Sequence, residues 1–491
     1  MAHGAYEPVI GLEVHVQLLT ASKMFCRCPN RFGAPPNTLV CPVCLGYPGT
    51  LPVVNRHAVD LAVKLALALG CEVRRRSVFA RKNYFYPDLP KGYQISQYDL
   101  PLAENGSLPL TLSDRRVRIE RLHLEEDAGK LLHEAPGGAA LPGESLVDFN
   151  RCGVPLVEIV SRPDLANAAE AQDYLQTLHQ LLLYTGTSDG NMEEGSLRCD
   201  ANVSVRPVGE TRLGTKTEVK NLNSFKNVGR AIEHEIERQI DLLEGGGRVM
   251  QETRSYDADA GVTRLLRSKE EAHDYRYFPE PDLPPLVLSE ERIAADAAAL
   301  PELPWARRAR FAAQFGLPAA DARVLTSTRE LADYAEAALA ALPGNPKGIA
   351  NWVMGEVLRE VKERKIEPAD VTAALPPTRL AALVGMIDAG QLSGSAAKEV
   401  FAAIWGVDEE PARAAERLGL LQVSDSGQIE GWIAEVIAEQ AGPVAQYRSG
   451  KTQTLGFLVG QVMKRSGGRA QPPLVQKLLR QALDGETVTR P

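Results

Sequence analysis

One alternating stretch near the start of the chain constrains the fold more than any other. Within Val9–Leu18, every second residue from Leu12 is leucine or valine, and Glu13, His15 and Gln17 stand between them. Successive side chains of a strand point to opposite faces, so this pattern predicts a half-buried strand with one polar face. Side chains two positions apart on that face stand roughly 7 Å apart. Glu13 and His15 therefore either hold a ligand between them or belong to a solvated strand surface.

Three later segments, Arg118–Lys130, Met192–Val205 and Glu218–Phe225, also place polar side chains on one face of a predicted strand. The polar residues of these segments include Glu125, Glu126, Lys130, Arg198 and Lys220. Parallel sheets that are covered on both faces have almost continuously apolar strands, which these are not. We therefore expect an antiparallel sheet whose polar face is curved to hold a substrate.

Three consecutive acidic residues, Glu125, Glu126 and Asp127, end the first of these segments. Adjacent carboxylates repel one another unless a cation lies among them. Oxygen ligands of this kind favour magnesium, which typically bridges protein carboxylates and nucleotide phosphates. The alternative is an acidic turn in solvent.

Four cysteines, Cys26, Cys28, Cys41 and Cys44, form a C-x-C pair and a C-x-x-C pair separated by twelve residues. Two close thiol pairs joined by a short, proline-containing loop suit tetrahedral zinc. Four thiolates leave no open coordination position, so we expect the zinc-type loop at 26–44 to be structural. A redox-active C-x-x-C and a group of buried structural thiols are the alternatives.

An aromatic and basic loop, Arg81–Asp99, contains four tyrosines, two lysines and an arginine without helical or strand periodicity. Tyrosine rings with cationic neighbours suit a nucleotide base or an unpaired RNA end. Lys82 and Tyr84 are therefore candidate nucleotide-binding residues. A surface loop held by aromatic packing explains the composition equally well.

The composition of the chain changes near residue 290. With 491 residues the chain is too long for one domain, and all four tryptophans lie beyond this point, where Ala- and Leu-rich sequence predicts helices. The prolines of Tyr277–Leu286 interrupt any continuous helix at the junction. We predict an α+β fold with a domain at 1–290 on an antiparallel sheet with flanking helices, an all-α domain at 291–404 and an all-α tail domain at 405–491.

The charge of the tail differs from that of the whole chain. From Val444 to Pro491 there are eight basic side chains and two acidic ones, whereas the formal net charge of the whole chain is −8. This asymmetry indicates contact with nucleic acid, and a positive helix face near a terminus is the alternative. The candidate contacts are Lys451, Lys464, Arg465 and Arg469.

The composition also argues against several classes of protein. No apolar run approaches the roughly 18 residues that cross a bilayer, and the first residues lack the basic-then-apolar pattern of a signal peptide. We therefore expect a cytoplasmic protein without a membrane partner. The negative net charge argues against a protein that coats nucleic acid non-specifically. Seven cysteines in a chain of this length do not form a disulfide framework.

Seven blocks spread over the chain closely resemble the B subunit of the bacterial glutamine-dependent aspartyl/glutamyl-tRNA amidotransferase family. The resemblance spans essentially the whole chain, and the length and order of the blocks make it specific. The blocks read V-I-G-L-E-V-H, R-K-N-Y-F-Y-P-D-x-P-K-x-Y-Q-I-S-Q, R-L-H-L-E-E-D-A-G-K, M-E-E-G-S-L-R-C-D-A-N, K-N-L-N-S-F, D-Y-R-Y-F-P-E-P-D-L-P-P and G-F-L-V-G-Q-V-M-K.

The resemblance implies a ligase that acts on glutamate mischarged on glutamine tRNA, or on aspartate mischarged on asparagine tRNA. Such an enzyme uses ATP and magnesium to phosphorylate the side-chain carboxylate, because hydroxide is a poor leaving group. Ammonia released from glutamine by an amidase-like A subunit then displaces the phosphate. The implied partners are this A subunit and a small C subunit in a heterotrimer, the mischarged tRNA, and the matching non-discriminating aminoacyl-tRNA synthetase.

The resemblance also implies roles for individual residues. The family's positions in G-L-E-V-H and H-x-E-E-D match the expected magnesium ligands Glu13, His15, Glu125 and Glu126. The other expected site residues are Lys130 in catalysis, and Lys82, Tyr84, Arg198 and Lys220 in ATP binding. The family's fold is a cradle domain on an antiparallel sheet, a helical domain and a tail that contacts tRNA, in agreement with the boundaries above. The cysteine cluster varies within the family, and because all four cysteines are present here we expect a structural zinc ion.

Two other functions fit parts of the sequence. A stand-alone metal-dependent ligase of small carboxylic acids would be active without partners and would not need a basic tail. A non-catalytic tRNA-binding adaptor would keep its function after removal of Glu13 or Glu125. The basic tail argues against the first function, and the clustered ligand-type residues argue against the second.

Overall fold

A computed structural model describes the chain over residues 4–132, 143–268, 275–423 and 425–485. Three residues considered above lie outside these ranges, namely Asp274 of the D-Y-R-Y-F-P block and Glu486 and Arg490 of the tail. No helix within the described ranges is both long enough and apolar enough to cross a membrane.

The chain forms two compact units, Met1–Ala306 and Arg307–Pro491. The strands of the first unit are β1 (Tyr6–Gln17), β2 (Glu72–Val73), β3 (Arg76–Ser77), β4 (Ala80–Asn83), β5 (Tyr93–Ser96), β6 (Ala103–Pro109), β7 (Arg116–Glu126), β8 (Lys130–Leu132), β9 (Leu146–Asp148), β10 (Pro155–Ser161), β11 (Leu197–Pro207), β12 (Thr217–Lys220), β13 (Glu252–Asp257), β14 (Val262–Ser268), β15 (Phe278–Pro279) and β16 (Leu286–Val287). Its helices are α1 (Arg56–Ala68), α2 (Ala168–Thr185), α3 (Phe225–Glu244) and α4 (Glu290–Ala298), and α5 (Pro304–Phe315) begins at its end.

Nine strands form one sheet in the order β14-β13-β12-β11-β1-β10-β7-β6-β2. Each neighbouring pair is antiparallel except β12 and β13, which run parallel. The predicted α+β class with an antiparallel sheet and flanking helices is confirmed, with this one parallel pair as an exception. β1 lies in the middle of the sheet, so the alternating stretch of the sequence organises the strands on both sides of it.

The main core of the first unit lies on the apolar face of this sheet. Leu12, Val14 and Val16 of β1 are almost fully buried there, together with the apolar sides of α1, α2 and α3. Local sequence fixes where two of these helices begin, because the side chains of Asn167 and Ser224 accept hydrogen bonds from backbone N–H groups at the starts of α2 and α3. The opposite face of β1 remains polar, as the alternation predicts.

A second, smaller sheet of β15, β4 and β5 packs on β7, the strand that carries the acidic residues. Its contacts are specific, because Ser96 and Ile95 of β5 donate hydrogen bonds to the carboxylates of Glu125 and Glu126. Strand β10 is buried along its whole length. Its polar side is therefore enclosed rather than solvated.

The second unit is helical over its described residues. Its elements are the rest of α5, then α6 (Ala319–Leu325), α7 (Arg329–Ala341), α8 (Pro346–Trp352), a π-helix (Val353–Val357), α9 (Leu358–Arg364), a 3₁₀ helix (Pro368–Asp370), α10 (Val371–Ala374), α11 (Pro377–Asp388), α12 (Gly394–Ile404), α13 (Pro411–Arg417), α14 (Ser426–Glu439), α15 (Ala441–Arg448), α16 (Thr454–Arg465) and α17 (Pro472–Asp484). Its buried apolar residues form two separate clusters, one between Phe311 and Ala415 and one between Ile429 and Leu483. The three predicted domain ranges remain a proposal.

Candidate functional site

A row of polar side chains crosses four neighbouring strands of the large sheet. His15 on β1 lies opposite Arg198 on β11 and opposite Glu158 on β10, and Glu158 lies opposite His123 on β7. Directly opposite residues of an antiparallel pair point to the same face. The row therefore follows the polar face that the alternation of β1 predicts, on the side of the sheet away from the core.

Three side chains around this row form a compact group of possible metal ligands. His15, Glu125 and Glu158 each bring one ligand atom within 4.8 Å of the other two. Nε2 of His15 lies 3.6 Å from Oε1 of Glu125 and 3.6 Å from Oε2 of Glu158. Two ligands of one Mg²⁺ ion lie about 3.0–4.2 Å apart when each is about 2.1 Å from it. These separations, and a donor set of two carboxylates and one imidazole, fit a divalent cation with open positions for water or phosphate.

Both carboxylates of this group are buried, yet they stay ionised. Burial by itself raises the pKa of Glu125 and of Glu158, but the neighbouring rings of His123 and His15 outweigh burial and hold both pKa values below the usual range. Burial lowers the pKa of His123, but Glu158 and Glu125 together raise it to about 9. The group therefore presents two carboxylates at neutral pH, which is the form that binds a cation.

Lys82 and Tyr84, two predicted nucleotide-binding residues, lie beside this group. Nζ of Lys82 is 4.9 Å from the ring centre of Tyr275 and 5.9 Å from that of Tyr84. Desolvation by burial lowers the pKa of Lys82, but Tyr277 and the carboxylates of Glu125 and Glu158 raise it more, so the ammonium is charged. The structure thus places an ammonium and aromatic rings next to the carboxylates. This combination suits the phosphates and the base of a nucleotide.

Glu126, predicted as a metal ligand, has other partners. One of its carboxylate oxygens pairs with the ammonium of Lys91 and accepts a hydrogen bond from the backbone N–H of Ile95 at 3.0 Å. Its backbone oxygen accepts from Gln94 at 2.7 Å. These contacts tie β7 to β5, and they place the Glu126 side chain outside the group formed by His15, Glu125 and Glu158.

Glu13 and Lys220 belong to a neighbouring polar group on β1, β11 and β12. Glu13 accepts a hydrogen bond from Nδ2 of Asn202 at 2.9 Å, and burial, followed by the charges of nearby acids, raises its pKa. Nζ of Lys220 lies 2.5 Å from Asp200 and 3.0 Å from Glu218. The structure therefore brings both predicted residues to the polar face, with Lys220 already balanced by two carboxylates.

Arg198 and Lys130, the remaining residues predicted for ATP binding and catalysis, lie in different places. Nη2 of Arg198 donates to Oδ2 of Asp127 at 2.7 Å, and the same oxygen accepts from Gln17 at 3.0 Å. Lys130 is exposed on β8, which pairs with β9 in a separate two-stranded sheet. The sequence pattern placed Lys130 with the carboxylates, whereas the chain turns away from the large sheet after Asp127. Its catalytic role stays a prediction.

The four predicted zinc ligands come together. Cys26, Cys28, Cys41 and Cys44 each bring their sulfur within 4.8 Å of the others, a group that fits one tetrahedral zinc ion. The hydrogen bond from Cys26, then that from the backbone N–H of Cys41, and then the ammonium of Lys23 lower the pKa of Cys44 to about 5, against the effect of burial.

Lys23 itself is completely buried beside these cysteines. Its Nζ donates to the backbone oxygen of Leu39 at 2.7 Å and lies 3.7 Å from Sγ of Cys44. A buried ammonium beside thiols balances the negative charge that four thiolates bring to a zinc ion.

The predicted tRNA contacts lie on the helices of the tail. Lys451, Lys464 and Arg469 are exposed. Arg465 lies 2.5 Å from a carboxylate oxygen of Glu435 and 2.7 Å from one of Glu439. The tail therefore presents basic side chains to solvent, but one of the four is already paired with two acids.

Sequence reasoning missed Glu158 as a candidate ligand and gave no role to His123 or Lys91. The signal for Glu158 was present, because it is the one charged residue of the apolar strand P-L-V-E-I-V-S. A charge within a fully buried strand needs a partner, and that alone marks it as a candidate functional residue.

Comparisons with known proteins point in one direction. Residues 8–294 match the family described as the GatB/GatE catalytic domain, and residues 333–483 match the one described as the GatB domain. The chain is 56% identical over 485 residues to the B subunit of the aspartyl/glutamyl-tRNA(Asn/Gln) amidotransferase of Geotalea daltonii, covering 98% of this chain and 100% of that one. It is 55% identical to the same protein of Geobacter sulfurreducens over 98% of this chain and 100% of that one. The identity to the same protein of Myxococcus xanthus is 53%, over 97% and 98% of the two chains.

Proposed function

Because the chain belongs to the GatB/GatE family, we propose that it is the B subunit of a tRNA-dependent amidotransferase, a glutamine-hydrolysing carbon–nitrogen ligase. It converts Glu-tRNA(Gln), Asp-tRNA(Asn) or both to the corresponding Gln-tRNA and Asn-tRNA. The observation that carries the proposal is the group of His15, Glu125 and Glu158 on the polar face, with Lys82 beside it.

The proposed reaction has two steps at the side-chain carboxylate of the substrate. An oxygen of that carboxylate attacks the γ-phosphorus of ATP, the bond to the β-phosphate oxygen breaks, and ADP leaves. Ammonia nitrogen then attacks the carbonyl carbon of the acyl phosphate, inorganic phosphate leaves with the bonding electrons, and the nitrogen loses a proton. Activation is needed because the free carboxylate has no good leaving group.

The residues of the site divide this work. His15, Glu125 and Glu158 would hold the cation, and Glu13 and Glu126, which the family resemblance also assigns to it, flank them on β1 and β7. Magnesium, when bound, supplies charge neutralisation for the triphosphate and aligns the phosphoryl transfer. Lys82 places an ammonium next to the same carboxylates, where transferred phosphoryl oxygens accumulate negative charge.

The other predicted nucleotide-binding residues frame the same face. Arg198 on β11 and Lys220 on β12 bind ATP phosphates in this proposal, although both are paired with carboxylates in the free chain. The ring of Tyr84 offers a stacking surface for the adenine base. Lys130, which is exposed on β8, also acts in catalysis in this proposal. The cysteine loop binds zinc as a structural ion.

The proposed partners follow from the chemistry and from the family. An amidase-like A subunit supplies ammonia, and a small C subunit completes the heterotrimer. The basic tail contacts the tRNA through Lys451, Lys464 and Arg469, whereas Arg465, the fourth predicted contact, is held by Glu435 and Glu439. The non-discriminating synthetase provides the mischarged substrate. The proposed location is the cytoplasm, where these substrates are made.

The test is reconstitution with the A and C subunits. The full complex is supplied with mischarged Glu-tRNA or Asp-tRNA, ATP, magnesium and glutamine, and the amide formed on the tRNA is measured for wild type and for Glu125→Ala. We expect product from the wild type and none from the variant, with tRNA binding retained in both. Full activity of Glu125→Ala would instead favour a non-catalytic tRNA-binding adaptor.

A further inference from the structure

His123 lies where two candidate metal ligands meet. It is 3% exposed, and its Nε2 lies 3.1 Å from Oε2 of Glu158 and 3.7 Å from Oε2 of Glu125. Nδ1, the other ring nitrogen, has no hydrogen-bond partner among the described residues. The polar contacts of this buried ring are therefore with the two carboxylates alone, within the part of the chain that the structure describes.

The two oxygens of Glu125 have different surroundings. Oε1 is the oxygen that lies 3.6 Å from Nε2 of His15, whereas Oε2 lies near His123 and accepts a hydrogen bond from Ser96 at 3.2 Å. One oxygen thus points to the centre of the cluster while the other is turned towards donors. This is the arrangement by which neighbours of a metal ligand fix its orientation.

The ring of His123 is not itself part of the compact ligand group. Within the described residues, that group contains His15, Glu125 and Glu158 but not His123, although the register of β7 and β10 puts His123 directly opposite Glu158. The two histidines therefore lie on the two sides of Glu158 in the row across the sheet. His15 faces Glu125 and Glu158 as the third ligand, whereas His123 contacts the same two carboxylates from the other side of Glu158.

We propose that His123 is a positioning residue that holds Glu158 and Glu125 in the geometry for binding a divalent cation. The inference rests on the proposed function, because it takes the cluster to be the cation site of that reaction. An N–H group at Nε2 directed at Glu158 limits rotation of that carboxylate. The same ring separates the two like charges on its side of the cluster, where otherwise they would repel each other.

Manganese binding to the full-length chain tests the proposal without any turnover. Mn²⁺ replaces Mg²⁺ at oxygen-rich sites and gives an electron paramagnetic resonance signal, including hyperfine coupling to a nitrogen that coordinates it directly. We expect His123→Leu, which has no donor, to weaken Mn²⁺ binding by about 10–100-fold, the range typical of lost neighbours of metal ligands. His123→Gln keeps an N–H donor and should fall between His123→Leu and wild type.

The nitrogen coupling distinguishes a positioning residue from a ligand. We expect the coupling to persist in both His123 variants and to disappear in His15→Gln. His57→Gln is the matched control, because His57 is exposed at the start of α1, and it should bind Mn²⁺ like the wild type. Circular dichroism melts verify folding, and if His123→Leu does not fold, the affinity of His123→Gln alone decides.

Three results would overturn the inference. They are an unchanged Mn²⁺ affinity in a folded His123 variant, a loss of nitrogen coupling on replacing His123 rather than His15, and the lack of nitrogen-coupled Mn²⁺ in the wild type. Failure of the proposed function is a separate observation. A wild-type complex that binds Mn²⁺ as expected but forms no amide on tRNA would remove the reaction and leave the role of His123 in cation binding intact.

Discussion

Two groups of ligands in the first unit, the cysteines between Cys26 and Cys44 and the cluster of His15, Glu125 and Glu158, are assembled in opposite ways. The cysteines all come from one loop, whereas the cluster draws on three strands that are far apart in sequence and adjacent only in the folded sheet. A local group can bind its metal while the rest of the chain is unfolded. A group that depends on strand register exists only after the sheet has formed.

The two groups also differ in what they leave open. Four thiolates would complete the tetrahedral shell of a zinc ion and leave no vacant position for chemistry, so the role expected for the cysteine loop is structural. Two carboxylates and one imidazole do not complete a magnesium shell, which leaves room for water and phosphate. The non-local cluster is therefore the one suited to catalysis, and the local loop is the one suited to stability.

The largest expected effect is the loss of activity on replacing Glu158, which should be much greater than the loss on replacing Glu13. Glu158→Gln should lower amide formation by the complex about 10³-fold, because a metal ion contributes several kcal/mol of transition-state stabilisation and the neutral amide is a poor ligand. Glu13→Gln removes a carboxylate that lies outside the cluster and accepts a hydrogen bond from Asn202. It should lower amide formation by about 10-fold or less. Single-turnover formation of amide on tRNA measures both.

A reversed order of these two effects would contradict the assignment. If Glu13→Gln abolished both Mn²⁺ binding and activity while Glu158→Gln retained them, the cation would lie one step along β1, nearer Asp200. The sequence, which names Glu13 as a ligand, would then have predicted this cation site as directly as it names the four cysteines.

This contrast explains how much the sequence could predict. The cysteine loop required no knowledge of the fold, so its four residues could be named from spacing alone. The alternation of β1 correctly placed Glu13, His15 and Gln17 on a polar face, because period-two patterning is a local property. Which of these side chains meets which ligand depends on how β10 and β7 pair with β1, and no local pattern encodes that register.

Two particular residues show where sequence reasoning stopped. Glu158 lies in a strand buried along its length, so it lacks the alternation that signalled the other strands. Lys130 follows the acidic residues closely in sequence, but it lies on β8, which pairs with β9 in a different small sheet. Distance in sequence therefore hid the contacts of Glu158, whereas the catalytic role of Lys130 stays a prediction.

The next effect concerns stability rather than chemistry. Cys44→Ser should reduce the zinc content from about one ion per chain to near zero and lower the free energy of unfolding by about 3 kcal/mol, because metal binding free energy adds to folding free energy. The Mn²⁺ affinity of the His15 cluster should change less than about 3-fold, since the two groups share no ligand. Atomic emission, urea unfolding and Mn²⁺ titration measure the three quantities.

The control for this prediction is Cys71→Ala, a buried cysteine outside the cluster. It should keep its zinc. Equal zinc loss in both variants would show that zinc is bound without the four-cysteine loop. A large fall in Mn²⁺ affinity in Cys44→Ser would show that the loop and the cluster act as one unit, which would break the comparison.

A smaller effect tests whether Lys23 offsets the negative charge of the cysteine group. Lys23→Met keeps the length of the buried stem but removes the ammonium that lies 3.7 Å from Sγ of Cys44. We expect zinc affinity to fall about 10-fold, as for other neighbours of metal ligands, measured by competition with a chromogenic chelator. The control is Lys226→Met, at an exposed position of α3, which should bind zinc like the wild type. A wild-type zinc affinity in Lys23→Met would mean that the Lys23 ammonium contributes only to packing.

The smallest expected effect concerns the basic tail. There too, a partner that is distant in sequence changes what a residue can do. Lys464 and Arg465 are neighbours on α16, and the sequence gives them equal roles in binding tRNA. Arg465, however, is paired with Glu435 and Glu439, so a phosphate must compete with two carboxylates for its guanidinium. Lys464→Ala should weaken tRNA binding a few-fold and reduce the slope of log Kd against log salt by about one, whereas Arg465→Ala should leave the slope unchanged. Filter binding of tRNA to the complex over a range of salt concentrations measures the slope. An equal loss of slope in both variants would mean that Arg465 leaves its acidic partners when RNA binds, and that partners seen in the free chain do not decide function on this surface as they do inside the sheet.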